Sequence, residues 1–165
     1  MSQLMIEANS LASVTPASFK TAMRRIASTV NVITSGCDGI LNGMTATAVC
    51  SVSAEPPSVL IVVNQDNRSH ALIERSGAYT VNVLSASQQA LAEHFASSPL
   101  APFANVPHAL GRNKCPIIDH CTSYLECVVA STMRSGTHSV FIGRVVGSGE
   151  SDRLPLIYHD GRFRG

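Results

Sequence analysis

Two stretches of the chain carry side chains whose types and spacing suit chemistry on a bound small molecule. The first is Asn64-Gln65-Asp66-Asn67-Arg68-Ser69-His70, a polar turn that leaves an apolar run and enters a helical pattern. Free N–H groups at a helix start, the helix dipole, the Ser69 hydroxyl and the Arg68 guanidinium can converge on one phosphate dianion. The same residue types cap any helix, so the turn equally suits an ordinary helix start. The second stretch is Asn42-Gly43-Met44-Thr45-Ala46-Thr47-Ala48-Val49-Cys50-Ser51-Val52-Ser53, a strand-like run with small side chains where bulky ones would pack better. Small residues leave space for a flat aromatic ligand whose polar edge meets backbone N–H and C=O groups. They equally suit a strand packed tightly against a helix or another subunit.

Other chemistries find little support. There is no glycine-rich dinucleotide fingerprint, phosphate loop, paired-histidine zinc helix or nucleophile elbow. If a nucleotide cofactor is used, a doubly wound dinucleotide unit does not bind it. Carboxylates are sparse and form no close pair of the glycosidase kind. Asp119-His120-Cys121 is the one dense group of metal-ligating types, and three adjacent residues cannot readily point at one ion, so no metal is expected. Five cysteines without a C-x-x-C argue against a disulfide framework or structural zinc and fit a reducing cytoplasm. Cys50 and Cys127, lying in apolar runs, are expected as core thiols.

The elements that must position these residues are mostly strands. A helix opens at Thr15-Pro16, with Phe19, Met23 and Ile26 on one face. Short β-branched runs follow over residues 30–34, 45–52, 59–63, 78–84, 124–131, 139–146 and 156–158. Two short helices interrupt them near 69–75 and 88–95, the second preceded by a Ser85/Gln88 capping-box pattern. Turn pairs such as Asp38-Gly39 and Asp160-Gly161 separate the strands in place of regularly alternating helices, which favours an antiparallel sheet or barrel. Residues 96–119, with Pro99, Pro102, Pro107 and Pro116, lack periodicity and are expected as a functional loop or interface segment.

The 165 residues suit one domain over 15–165 behind a flexible N-terminal arm over 1–14. A net charge of +1 from interspersed charges provides no broad field for nucleic acid or anionic lipid. No signal-peptide pattern or membrane-length apolar run is present, so a chain that stays in the cytoplasm is expected.

The order of these pieces resembles the short-chain flavin reductase family, the reductase components of two-component flavin-dependent monooxygenases, in its 4-hydroxyphenylacetate 3-monooxygenase branch. The likeness spans Phe19 to Phe163. Its landmarks are Val30-Asn31-Val32-Ile33-Thr34, the run from Gly43 to Ser53, Pro56-Pro57, Val81-Asn82-Val83-Leu84, Gln88, Phe95-Ala96, Gly136-Thr137-His138, Gly143-Arg144-Val145 and Pro155-Leu156-Ile157-Tyr158. The resemblance implies a mainly β fold with short helices, a split β-barrel of the FMN-binding kind, in a homodimer with flavin near the subunit interface. Thr45, Ala46, Thr47, Ala48, Cys50 and Ser51 would line the flavin ring and ribityl chain. Asn64, Arg68, Ser69 and His70 would approach its phosphate, while Phe95 and Ala96 would meet the other side of the ring. His138 would act in catalysis beside the nicotinamide, with Tyr158 and Arg162 next to it. Many relatives read Gly-Asp-His where Thr137 stands here, so no carboxylate orients this histidine.

The activity so implied is NAD(P)H:flavin oxidoreduction, with NADH favoured, supplying reduced FMN or FAD to a partner monooxygenase. Nicotinamide C4 would pass a hydride to flavin N5 with the reacting atoms about 3 to 3.5 Å apart. One alternative is a flavoprotein whose tightly held flavin passes electrons directly to a corrinoid or metal complex. Another is a non-enzymatic flavin-binding module. Flavin retention on dilution separates the first pair, and anaerobic bleaching of free flavin by NADH identifies an enzyme.

Overall fold

A computed structural model describes residues 11–165. The elements run in the order helix α1 (Pro16–Met23), strands β1 (Ser28–Thr29), β2 (Asn31–Cys37), β3 (Ile40–Ala46), β4 (Val49–Ala54) and β5 (Pro57–Asn64), helix α2 (Arg68–Ser76), strand β6 (Ala78–Val83), a 3-10 turn (Ala86–Gln88) and helix α3 (Gln89–Ala96). Then come β7 (His108–Leu110), β8 (Pro116–Ile118), β9 (Ser123–Ser135), β10 (His138–Glu150), β11 (Ile157–His159) and β12 (Arg162–Arg164). Most of the arm expected over 1–14 lies outside the described residues.

Seven strands form one antiparallel sheet in the order β3-β2-β6-β9-β10-β5-β4. Its two edges, β3 and β4, are consecutive in the chain and joined only by Thr47 and Ala48. Two residues cannot span a flat seven-stranded sheet at about 4.8 Å per strand, so the sheet curls until its edges meet. That closure, incomplete because β3 and β4 do not pair, is the split barrel. The Val62 N–H donates to the Ala48 carbonyl at 3.3 Å, holding the crossover against β5.

Alternation places the core. Ile33, Val59, Ile61, Val63, Tyr79, Val81, Cys127 and Phe141 fill the barrel interior with Ile73 of α2. Val30, Val32, Leu84 and Leu156 form a second cluster beneath Ala92 and Phe95 of α3. Adjacent residues Val32 and Ile33 thus serve different clusters, which is why β2 reads as an unbroken buried run rather than an alternating one. Asp38 and Gly39, at φ +51° and +77°, make the tight turn joining β2 to β3, and Asp160-Gly161 does the same for β11 and β12.

Three expectations are corrected. The run 45–52 is not one strand: it breaks at Thr47-Ala48 to serve both sheet edges. Residues 96–119 are not all loop, because β7 and β8 pair within them. Cys50 is exposed on β4, whereas Cys127 is in the core as expected. The apolar face expected for the first helix is bare: α1 buries none of its residues, and Phe19, Met23 and, just beyond the helix, Ile26 are each about half exposed.

Candidate functional site

Strand β3 carries the geometry that matters. On one face, Phe95 of α3 lies so close that a Cβ on Gly43 would sit 2.6 Å from its ring, and the Thr45 hydroxyl donates to the Ala92 carbonyl at 2.6 Å. Near the start of the strand, buried Asn42 donates its amide to Ser69 Oγ at 2.8 Å, which ties β3 to the first turn of α2. One strand therefore fixes the positions of two helix ends.

At the end of β3 a cavity of about 250 Å³ is lined by Val30, Thr45, Ala46, Thr47, Ala96, Tyr158 and Phe163. Tyr158 and Phe163 meet edge to face, with centroids 5.3 Å apart, and close its far wall. A second cavity of about 270 Å³ shares Thr47 and Tyr158 and is roofed by Phe19, Met23 and Ile26. The two adjoining spaces, mostly apolar with a few hydroxyls, have the character of a small-molecule site.

A third cavity, about 310 Å³, lies at the start of α2 and is lined by Asn42, Asn64, Asp66, Asn67, Arg68 and Ser98. Asn67 caps the helix: its Oδ1 accepts from the Ser69 N–H at 2.9 Å, and its carbonyl accepts from the His70 N–H at 2.9 Å. Those two N–H groups are thus engaged within the protein, and Arg68 supplies the positive charge. Its guanidinium donates to the carbonyls of Ser98 and Pro99 just beyond the end of α3. Asn42 and Ala46 lie four residues apart on β3, so about 13 Å of strand joins the polar cavity to the apolar one.

His138 opens β10 and pairs with Asn64 of the polar cavity. It is exposed, and its Nδ1 is 2.9 Å from Thr137 Oγ1. With the hydroxyl as donor, Nδ1 accepts and Nε2 carries the ring proton outward. Gln65 docks the hairpin tip: its Nε2 donates to the Gly136 carbonyl at 3.3 Å and the His138 carbonyl at 3.1 Å, while its N–H donates to Thr137 O at 3.0 Å.

Of the residues singled out in the sequence, Thr45, Ala46, Thr47, Ala96 and Tyr158 meet at the apolar cavity, and Asn64 and Arg68 at the polar one. Others fall elsewhere. Ser69 is fully buried against Asn42, and His70 is a core residue bonded to Ser139, so neither side chain opens on the polar cavity. Phe95 is fully buried on Gly43 and not beside the cavity that Ala96 lines. Ala48 is in the crossover, and Cys50 and Ser51 are exposed on β4, outside the three cavities. Tyr158 and Arg162 belong to a separate three-stranded sheet, β1-β11-β12, rather than pairing with the strand of His138. Ser98 was missed, since a serine after a helix carries no local signal of what it will face; Asn42 and Gln65 stood in the two stretches singled out, but nothing local signalled that one would anchor Ser69 and the other the hairpin tip.

The flavin reductase like domain matches residues 23–165, and the chain belongs to that family. The reductase component of a 4-nitrophenol 4-monooxygenase/4-nitrocatechol 2-monooxygenase from Rhodococcus opacus is 34% identical over 155 residues, covering 94% of this chain and 83% of that protein. The reductase component of an FADH(2)-dependent resorcinol hydroxylase from a Rhizobium species is 37% identical over 150 residues, covering 88% of this chain and 84% of that protein. Among solved structures, the NADH:FAD oxidoreductase SgcE6 of Streptomyces globisporus superposes with a TM-score of 0.87 at 31% identity, covering 93% of this chain and 96% of that one.

Proposed function

We propose that this chain is an NADH-dependent flavin reductase that makes reduced FMN or FAD for a flavin-dependent monooxygenase. The observation that carries the proposal is the placement of a polar, arginine-bearing cavity and an apolar cavity at the two ends of β3. Their separation is on the scale of the span from a flavin's ring system to its phosphate, and the residues fit the two ends of a flavin in chemical character. A flavin held there supplies the acceptor for a hydride from reduced nicotinamide.

The chain's own residues bind and orient. The Thr45 hydroxyl proton is committed to Ala92, so Thr45 offers a lone pair and a methyl to the apolar cavity. Arg68 can turn from the Ser98 and Pro99 carbonyls to a phosphate, which as a dianion is the stronger acceptor. His138 presents an imidazole at the solvent-facing tip, where it can orient a nicotinamide or exchange a proton. Thr47 and Ala96 are exposed, which favours a flavin that enters and leaves over one held permanently.

Two finer parts belong to the same reading. A second copy would cover the apolar faces that the single chain leaves bare: Phe19 and Met23 on α1, Ile26 just after it, and Val52 on β4. A cytoplasmic setting suits the exposed Cys50 thiol, and among the described residues no helix is long and apolar enough to cross a membrane. The test is to mix the protein with free flavin and NADH without oxygen. Rapid loss of the yellow colour is expected, and unchanged absorbance would overturn the assignment.

A further inference from the structure

The polar groups around His70 form a circuit that the binding of flavin and nicotinamide does not use. His70 sits in the first turn of α2, two residues beyond Arg68, and is 5% exposed. Its Nε2 lies 2.8 Å from Oγ of Ser139, the fully buried residue that follows His138. Its Nδ1 is 3.6 Å from Glu74 Oε2, and Glu74 Oε1 is 3.7 Å from Arg134. Arg134 is the cross-strand partner of Ser139, so the circuit returns to its start. Helix α2 is thereby fastened to both strands of the β9–β10 hairpin, one residue from the tip.

We propose that His70, acting through Ser139, is a positioning residue that holds His138 in register with the start of α2; this rests on the reductase reading above. The other ties between the tip and the α2 turn are the β5–β10 ladder, which ends at the His138–Asn64 pair, and the bonds of partly buried Gln65; residues 131–138 are exposed. The last pair of that ladder lies at the exposed end of both strands, where pairing opens most easily. The buried His70–Ser139 bond adds a directional side-chain attachment one residue further in, while the edge of the Phe141 ring, 5.3 Å from the imidazole centroid, fixes the ring plane. Apolar packing could stabilise the fold at this position, but it would not fix the first turn of α2 at one point on β10, whose own course is set by its ladders with β5 and β9. Displacement of a reacting or orienting group by 1 Å costs about 100-fold in rate, so such direction-setting is visible in kinetics.

The test compares wild type with His70→Phe, His70→Gln, Ser139→Ala and the double variant His70→Phe/Ser139→Ala. His70→Phe and Ser139→Ala should each lower kcat by about 10-fold and raise KM for NADH, with flavin Kd changed less than 2-fold. The double variant should be no slower than the worse single one, because both remove the same bond. His70→Gln, which keeps a group able to bond Ser139, should recover most of the rate. In flavin-free protein, hydrogen exchange at the Gln65 N–H, which reports tip docking, should speed up about 10-fold in Ser139→Ala. If His70→Phe fails to fold, Ser139→Ala alone decides. Lowered thermal stability with unchanged kcat and unchanged Gln65 exchange would overturn the inference and leave the bond purely structural. Wild type unable to reduce flavin would instead overturn the reductase reading.

Discussion

At the scale of single residues, the roles proposed for His138 at the hairpin tip and for Arg68 at the polar cavity can be tested separately. His138→Ala should reduce turnover with NADH by about 100-fold while flavin affinity stays near wild type, measured by anaerobic stopped-flow and equilibrium titration. Unchanged kinetics would remove His138 from the mechanism. Arg68→Ala should weaken FMN binding by about 10- to 100-fold, the worth of a hydrogen bond to a charged group, as read by calorimetry. The sequence marked Arg68, Ser69 and His70 alike, because helix-start chemistry looks the same whichever way each side chain turns. Asn42 takes up Ser69 and Ser139 takes up His70, partners 27 and 69 positions away in the chain, and no local pattern could have disclosed either.

Among the elements, β3 is the one on which both cavities depend, and its weak point is the contact between Gly43 and Phe95. A methyl at Gly43 would meet the Phe95 ring at 2.6 Å and Val32 at 3.2 Å. Gly43→Ala should therefore destabilise the fold by about 1 to 3 kcal/mol, seen as a lower denaturant midpoint with an unchanged slope. An unshifted midpoint would show that α3 can withdraw freely. Most strands were legible because β-branched runs and Asp-Gly turns state their own geometry. The break at Thr47-Ala48 was not, since both halves have strand-forming composition and only the closure of the sheet forces the change of edge. The β7–β8 hairpin was hidden for a related reason: three-residue strands among prolines show too few residues to establish a period.

In the molecule as a whole, burial governs both stability and the surface left for partners. Desolvation pushes the Cys115 thiol from its ordinary 9.0 up to about 11 and the Cys127 thiol up to about 12. Above pH 9 the unfolded chain releases these protons while the folded chain keeps them, so stability present below pH 9 is lost as pH rises toward 11. The loss should amount to about 1 kcal/mol per thiol one pH unit above 9, measured by denaturant unfolding at pH 8 and pH 10. Cys115→Ala should reduce that dependence by one thiol's share and leave the rest. The barrel class could be read from the sequence through strand count and turns, whereas the bare apolar face of α1 could not, because an amphipathic helix looks the same whether its own core or a second copy covers it. The account stands on the two cavities along β3 holding the two ends of one flavin. The most direct test is to titrate wild type and Ala96→Phe, whose added ring should fill the apolar cavity, with FMN and with riboflavin. Wild type should bind both, FMN more tightly, and Ala96→Phe should bind neither while keeping a folded circular dichroism spectrum. Binding of FMN by Ala96→Phe as tight as by wild type would contradict the account.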